Sequence, residues 1–359
     1  MSSFVKIIDL FCGVGGLTYG LQRAGLDVLA GIDNDESCEY AYTQNNHGSS
    51  FLTADIATVS AGDLRALYPA GSIKVLVGCA PCQPFSKHAH KNRERRNDGK
   101  YSLLNEFARL VSELEPGIIS MENVPQLRTE AIFTDFVGAL EQLAYTVSFQ
   151  VVYCPSYGIP QSRSRLVLLA SKHGEIELIP PTHSEDAYVT VRKTIGMLPA
   201  IAAGESDPED PLHRSAALSP KNLIRIRSSV PGGSWRDWDP SLVLECHKKP
   251  TGTTYGSVYS RMQWDEVSPT MTTQFYAFGT GRFGHPEQNR ALSLREGALL
   301  QTFPPDYQFI RPGDNVSTSV LGRHIGNAVP VKLGEVIGQS ILLHCQEHNL
   351  LSNENSPQP

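Results

Sequence analysis

Long apolar runs are missing from this chain: none approaches the roughly 18 residues that a membrane-spanning helix needs. The opening residues, MSSFVKIIDLF, have neither a basic start nor an extended apolar stretch, and Asp9 interrupts them early, so no secretion signal is expected. Cysteine is sparse, at seven in 359 residues, and only Cys79 and Cys82 form a C-x-x-C. No second pair or His-rich segment completes a zinc site and no thioredoxin-like surroundings are evident, so reduced thiols and no metal are expected. No internal repeat is visible. Positive charge is not in excess either: the net charge of −6 argues weakly against nucleic acid as a partner. With 40% hydrophobic and 19% charged residues, the composition is that of an ordinary globular protein, and a cytoplasmic one is the expectation.

Distribution matters more than the sum of charge. Lys87 to Lys100 holds six basic side chains (Lys87, Lys91, Arg93, Arg95, Arg96, Lys100) against Glu94 and Asp98, a local +4 that leaves −10 for the rest. Such a run is either a solvated loop or a local contact to an anion. Around it, strands and helices alternate. Short apolar runs at Lys6–Phe11, Asp27–Ile32, Ser72–Gly78, Gly117–Met121, Thr146–Tyr153 and Arg165–Ala170 read as strands. Helical patterns follow Gly16, cover Ser37–Asn45 and Ile132–Leu143, and place apolar residues at 103, 104, 107, 110, 111 and 114. The alternation predicts an α/β domain over residues 1–180, its ligand at the carboxyl ends of mainly parallel strands. From about Pro180 the alternation fades, Pro, Ser and Gly become frequent, and all three tryptophans appear. Residues 181–317 are therefore expected to form a smaller irregular domain, with 318–345 completing the first and 346–359 a frayed tail.

Four segments carry chemistry. Asp9 to Gly16 (DLFCGVGG) is a glycine-rich turn between strand and helix, and Asp33 ends the next strand about twenty residues on. Alone the pair fits a nucleoside cofactor, a nicotinamide or a tight turn without ligand. Gly78 to Ser86 (GCAPCQPFS) sets Cys82 after a strand and between two prolines, ahead of the basic run that would favour a thiolate. A buried inert thiol is the plainer reading of any single cysteine. Glu122 in MENVP is placed to act as an acid or to start a helix. Gln161 to Arg165 (QSRSR) puts Arg163 and Arg165 on one face of an expected strand, for an anion, a carbonyl or surface ion pairs.

Together DLFCGVGGLTYG, APCQPFS, MENVP, QSRSR, HPEQNRALSLREGALLQTFPPDY and GRHIGNAVPVKLGEVIG resemble, in order, the motifs of the cytosine-5 DNA methyltransferases, over about 1–172 and 265–340. The resemblance implies the S-adenosylmethionine-dependent methyltransferase fold, a mixed seven-stranded sheet with an antiparallel last strand, plus a target-recognition domain. It implies methyl transfer from S-adenosylmethionine to C5 of a flipped-out cytosine in double-stranded DNA, with Cys82 as the nucleophile at C6. Glu122 would protonate the ring at N3, and Arg165, with Arg163, would contact the base carbonyl. Phe11, Gly13, Gly15, Gly16, Asp33, Asn34, Asp55, Ile56 and Leu103 would surround the cofactor, and Asn327 and Ala328 would close its pocket. Asn34 departs from the apolar residue often found there.

The basic run resembles the family's mobile catalytic loop, with Ser86, Lys87, Lys91, Arg93, Arg95 and Arg96 on DNA. Residues 173–265 correspond to the target-recognition region, which differs between members with different sites. The short chain favours a bacterial or phage modification enzyme, a monomer, paired with a restriction endonuclease. An RNA-directed relative is the runner-up, but the Cys-Phe-Thr tripeptide of the tRNA-modifying branch does not occur here.

Overall fold

The computed structural model describes residues 4–81 and 102–351. The chain divides into two compact units, one of residues 1–153, 164–181 and 329–359, the other of 154–163 and 182–328. Among the described residues no helix is long and apolar enough to cross a membrane.

The first unit is built on seven strands: β1 (Val5–Leu10), β2 (Asp27–Asp33), β3 (Ser50–Thr53), β4 (Ile73–Gly78), β5 (Ile118–Asn123), β6 (Thr146–Tyr153) and β7 (Ser164–Ser171). Their order across the sheet is β3-β2-β1-β4-β5-β7-β6. The first five run parallel, and β7 lies antiparallel to both β5 and β6. The mixed sheet with a reversed last strand, expected from resemblance, is thus present. Parallel central strands are covered on both faces, which is why they read as nearly unbroken apolar runs. On one face Ile8, Leu10, Leu76, Ile119 and Met121 pack against Phe107, Leu110, Val111, Leu114, Phe133 and Phe136. These come from α4 (Ser102–Leu114) and α5 (Ala131–Gln142). The intervening Ile7, Val75, Val77 and Ile118 are equally buried, as the two-residue period of a strand requires. Helix α1 (Gly16–Arg23) follows β1 and packs on the long helix Val331–Glu347. Two shorter helices, α2 (Glu39–Asn45) and α3 (Ala61–Leu67), flank β3 in sequence.

The strand order reverses between β1 and β4, and the crevice outside the carboxyl ends at such a switch point is where open α/β sheets bind ligands. Register makes those ends level. Leu10 pairs with Ile32 and with Gly78, and Gly78 pairs with Met121. The next residues, Phe11, Asp33, Cys79 and Glu122, therefore leave four adjacent strands along one edge.

The second unit has little regular structure. Its helices are Val191–Ile195, Pro220–Arg227, Glu245–Lys248, Leu294–Leu300 and Thr318–Asn327, with one short ladder of Gln161–Ser162 on Ser268–Pro269. The helix Thr318–Asn327 and residues 154–163 thus group with it, whereas the sequence reading put both in the first domain. The reason is packing. Gln301 donates to the carbonyls of Ile325 and Ala328, and Gln161 donates to the carbonyl of Leu300. A small core gathers Ile226, Trp235, Trp238, Phe278 and Ala291. Beside it the buried Arg261 guanidinium donates to the carbonyls of Ile226, Ser229, His285 and Gln288, doing for irregular loops what a ladder does for strands.

Candidate active site

The turn after β1 is held in unusual backbone geometry. Phe11 has φ 62°, Gly13 50° and Gly15 90°. A left-handed phenylalanine costs on the order of 1–3 kcal/mol and persists only where its surroundings over-determine it. Here they do: the N–H of Cys12 reaches the Ile32 carbonyl (3.1 Å), and that of Gly13 reaches Asp33 Oδ2 (2.9 Å). Asp33 Oδ1 accepts from the Asp35 N–H at 2.9 Å, so the carboxylate ending β2 pins the turn ending β1. At Gly13 a Cβ would meet nothing within 4 Å, so the turn presents open space there, beside a half-buried Phe11 and Asp33. Those are the features of a cradle for a nucleoside with a charged tail. Asn34 is exposed. Asp55 is exposed and accepts from the Ala57 N–H (3.0 Å), while Ile56 is buried and its carbonyl accepts from Arg109 (3.1 Å). Leu103 is half-buried in the first turn of α4, and Gly16 opens α1. Asn327 and Ala328 lie in the second unit, the former exposed.

Beneath this turn, Asp9 is 1% exposed and its Oδ2 accepts from Thr18 Oγ1 at 2.7 Å. Burial pushes its carboxyl up to about 7, the Asp33 charge adds to that, and the Thr18 bond only partly opposes it.

The second half of the edge is acidic and cationic at once. Glu122 is 2% exposed, and its Oε1 lies 2.8 Å from Arg165 Nε. Its Oε2 accepts from the Cys79 thiol at 2.7 Å. Arg165 reaches it because β7 runs antiparallel to β5: Glu122 and Asn123 pair with Val167 and Leu166, so Arg165 enters β7 where β5 ends. Asn123 donates to the Ala80 carbonyl (3.1 Å), tying the chain just before Cys82 to the same strand end. Cys82, Ser86, Lys87, Lys91, Arg93, Arg95 and Arg96 lie outside the described residues.

Arg163 is not where a single strand would put it. Gln161–Ser162 pairs with Ser268–Pro269, β7 starts at Ser164, and Arg163 belongs to neither. Its carbonyl accepts instead from the Cys154 N–H (2.8 Å), and its Nη1 donates to the Met271 carbonyl (3.2 Å). The expected shared face of the two arginines is therefore split: Arg165 joins Glu122 and Arg163 supports the second unit. The contacts of Cys79 and Thr18 were not anticipated. The first was readable only from the level ends of β4 and β5.

A family model for C-5 cytosine-specific DNA methylases matches residues 5–343. The chain belongs to that family. It is a DNA (cytosine-5)-methyltransferase, and family and fold imply S-adenosylmethionine as the methyl donor. It is 56% identical over 338 residues to the type II methylase M.HgiDII of Herpetosiphon aurantiacus, covering 93% of this chain and 94% of the relative. The type II methyltransferase M1.HphI of Haemophilus parahaemolyticus is 32% identical, covering 93% and 86%. Among solved structures, a prophage-encoded putative DNA modification methyltransferase from E. coli superposes with TM-score 0.71 at 22% identity, covering 94% of this chain and 99% of that one. The Spodoptera frugiperda DNMT2 mutant gives 0.64 at 18%, covering 94% and 99%. At these identities the structural likenesses speak for the fold alone.

Proposed function

We propose that this methyltransferase modifies one cytosine within a specific double-stranded DNA site, through a covalent bond from Cys82 to C6 of a flipped-out base, as the modifying half of a restriction-modification system. The observation that carries the reading is Glu122: a buried carboxylate at the carboxyl end of β5, set against Arg165 and the chain that leads into Cys82. A cytosine ring is a poor carbon nucleophile. Addition of the Cys82 thiolate at C6 moves the ring electrons toward C5 and N3, and a proton on Glu122 delivered to N3 steadies that charge. Arg165 draws Glu122 by charge and offers its remaining N–H groups to the base carbonyl. Loss of the C5 proton, after methylation, expels Cys82 and restores the ring. The base must leave the stack to meet these groups, at a cost of a few kcal/mol.

S-adenosylmethionine, when bound, supplies an electrophilic methyl group. Phe11, the Gly13 to Gly16 turn and Asp33 are the residues suited to hold it, with Asp55, Ile56 and Leu103 along the same edge. Ser86, Lys87, Lys91 and the arginines 93, 95 and 96 are assigned to DNA contact, and the second unit to site recognition. The enzyme is proposed to act as a monomer; a cognate endonuclease beside it is supported by the type II names of its relatives.

A duplex with 5-fluorocytosine at the target tests the chemistry, because the fluorine cannot leave as a proton does. With cofactor present, the protein should form a complex that survives denaturation, and Cys82→Ser should form none while still binding DNA. Failure of the unaltered protein to form any adduct would refute the covalent route.

A further inference from the structure

We propose that Cys79 is a positioning residue for Glu122, its thiol hydrogen bond holding the carboxyl group in the orientation that meets the target base. The inference rests on the assignment of Glu122 as the acid at the base. Gly78 and Met121 are register partners in adjacent parallel strands, so the residues that follow, 79 and 122, lie side by side at the strand ends. At Gly78 a Cβ would lie 2.8 Å from the Leu10 carbonyl oxygen, so only glycine lets the end of β4 lie this close to β1. Cys79 follows at once and places Sγ 2.7 Å from Glu122 Oε2.

The other side of the carboxylate is held differently. Arg165 Nε approaches Oε1 at 2.8 Å, yet among the described residues that oxygen has no aligned hydrogen-bond donor. Arg165 thus attracts the group by charge without fixing its plane. The last torsion of a glutamate is broad and roughly two-fold, so charge from one side leaves the carboxyl plane free to swing. The Cys79 hydrogen bond, directional and on the opposite oxygen, removes that freedom. A thiol is also a weaker donor than a hydroxyl. It therefore orients the carboxylate through a bond that is directional but not strong.

The test compares Cys79→Ala, Cys79→Ser and Glu122→Gln in the full-length enzyme, by single-turnover methylation of duplex DNA, with DNA affinity and Tm alongside. Cys79→Ala should slow transfer roughly tenfold, as misorientation of an acid does, with DNA affinity and Tm near those of the parent. Cys79→Ser, which keeps a donor at the same place, should recover most of the rate. Two results would overturn the role: a Cys79→Ala enzyme with parental rate while Glu122→Gln is inactive, or equal losses of rate in both cysteine variants with a lowered Tm. Near-normal turnover by Glu122→Gln would instead remove the assignment on which the role depends.

Discussion

At the scale of single residues, Asp9 shows how a motif letter can hide its physics. In the sequence it is the first residue of a glycine-rich turn. In the structure it is a buried acid that accepts from the hydroxyl and the backbone of Thr18, and burial outweighs both bonds. Its folded-state pKa, about 7 against an ordinary 3.8, is raised. The folded protein therefore holds this proton more tightly than the unfolded chain. The stability so gained is complete below the unfolded value and is lost as pH rises through about 7. Asp9→Asn keeps a neutral group there, so its stability relative to the parent should rise with pH across that window, by on the order of a few kcal/mol. Urea midpoints of both proteins at mildly acidic and mildly alkaline pH would check it. A constant difference between the two would show that Asp9 does not titrate in this range.

At the scale of elements, the sheet edge depends on how closely α1 lies against the helix Val331–Glu347. A Cβ at Gly20 would sit 2.3 Å from the Val331 carbonyl oxygen, and one at Gly334 would sit 2.8 Å from that of Leu17. These are backbone atoms, which cannot step aside as a side-chain tip can. Alanine favours a helix over glycine by about 0.8–1 kcal/mol, but overpacking a fixed contact costs about 1–3 kcal/mol, so the clash wins. Gly20→Ala should lower Tm by several degrees. At Gly138, in α5, a Cβ meets nothing within 4 Å, so propensity acts alone and Gly138→Ala should raise Tm slightly. Thermal unfolding of the pair decides it; a rise for both would mean that the helices move apart at little cost. The elements themselves were largely legible. The apolar stripe at 103, 104, 107, 110, 111 and 114 is α4, with five of the six buried. Among the elements missed were β3, four residues of mostly exposed side chains, the seven-residue α3 and the helix Thr318–Asn327; the first two are too short for a period to register.

At the scale of the whole molecule, an acidic protein that acts on DNA must confine its attraction to a few places. Six of its basic residues fall between 87 and 100, while the rest of the chain is strongly acidic. If that run meets phosphates, replacing Arg93, Arg95 and Arg96 by alanine should flatten the plot of log affinity against log salt by roughly 2–3, since each phosphate contact contributes about 0.9 to the slope. Fluorescence anisotropy with a labelled duplex at several salt concentrations measures this. An unchanged slope would place the run away from DNA.

The sequence by itself determined the order of strands and helices in the first unit, the glycine turn, and a set of motifs whose order resembles one family. Those are properties of neighbours along the chain, set by side-chain period and backbone permissiveness. Only the tertiary structure decided which of the marked residues meet. Level strand ends bring Cys79 to Glu122, and an antiparallel β7 delivers Arg165 to the same carboxylate while a break in the ladder turns Arg163 elsewhere. It also decided the second unit, where the carbonyls around Arg261 are held by a buried guanidinium rather than by a ladder. Such contacts join residues far apart in the chain and follow no period, so no local pattern announces them.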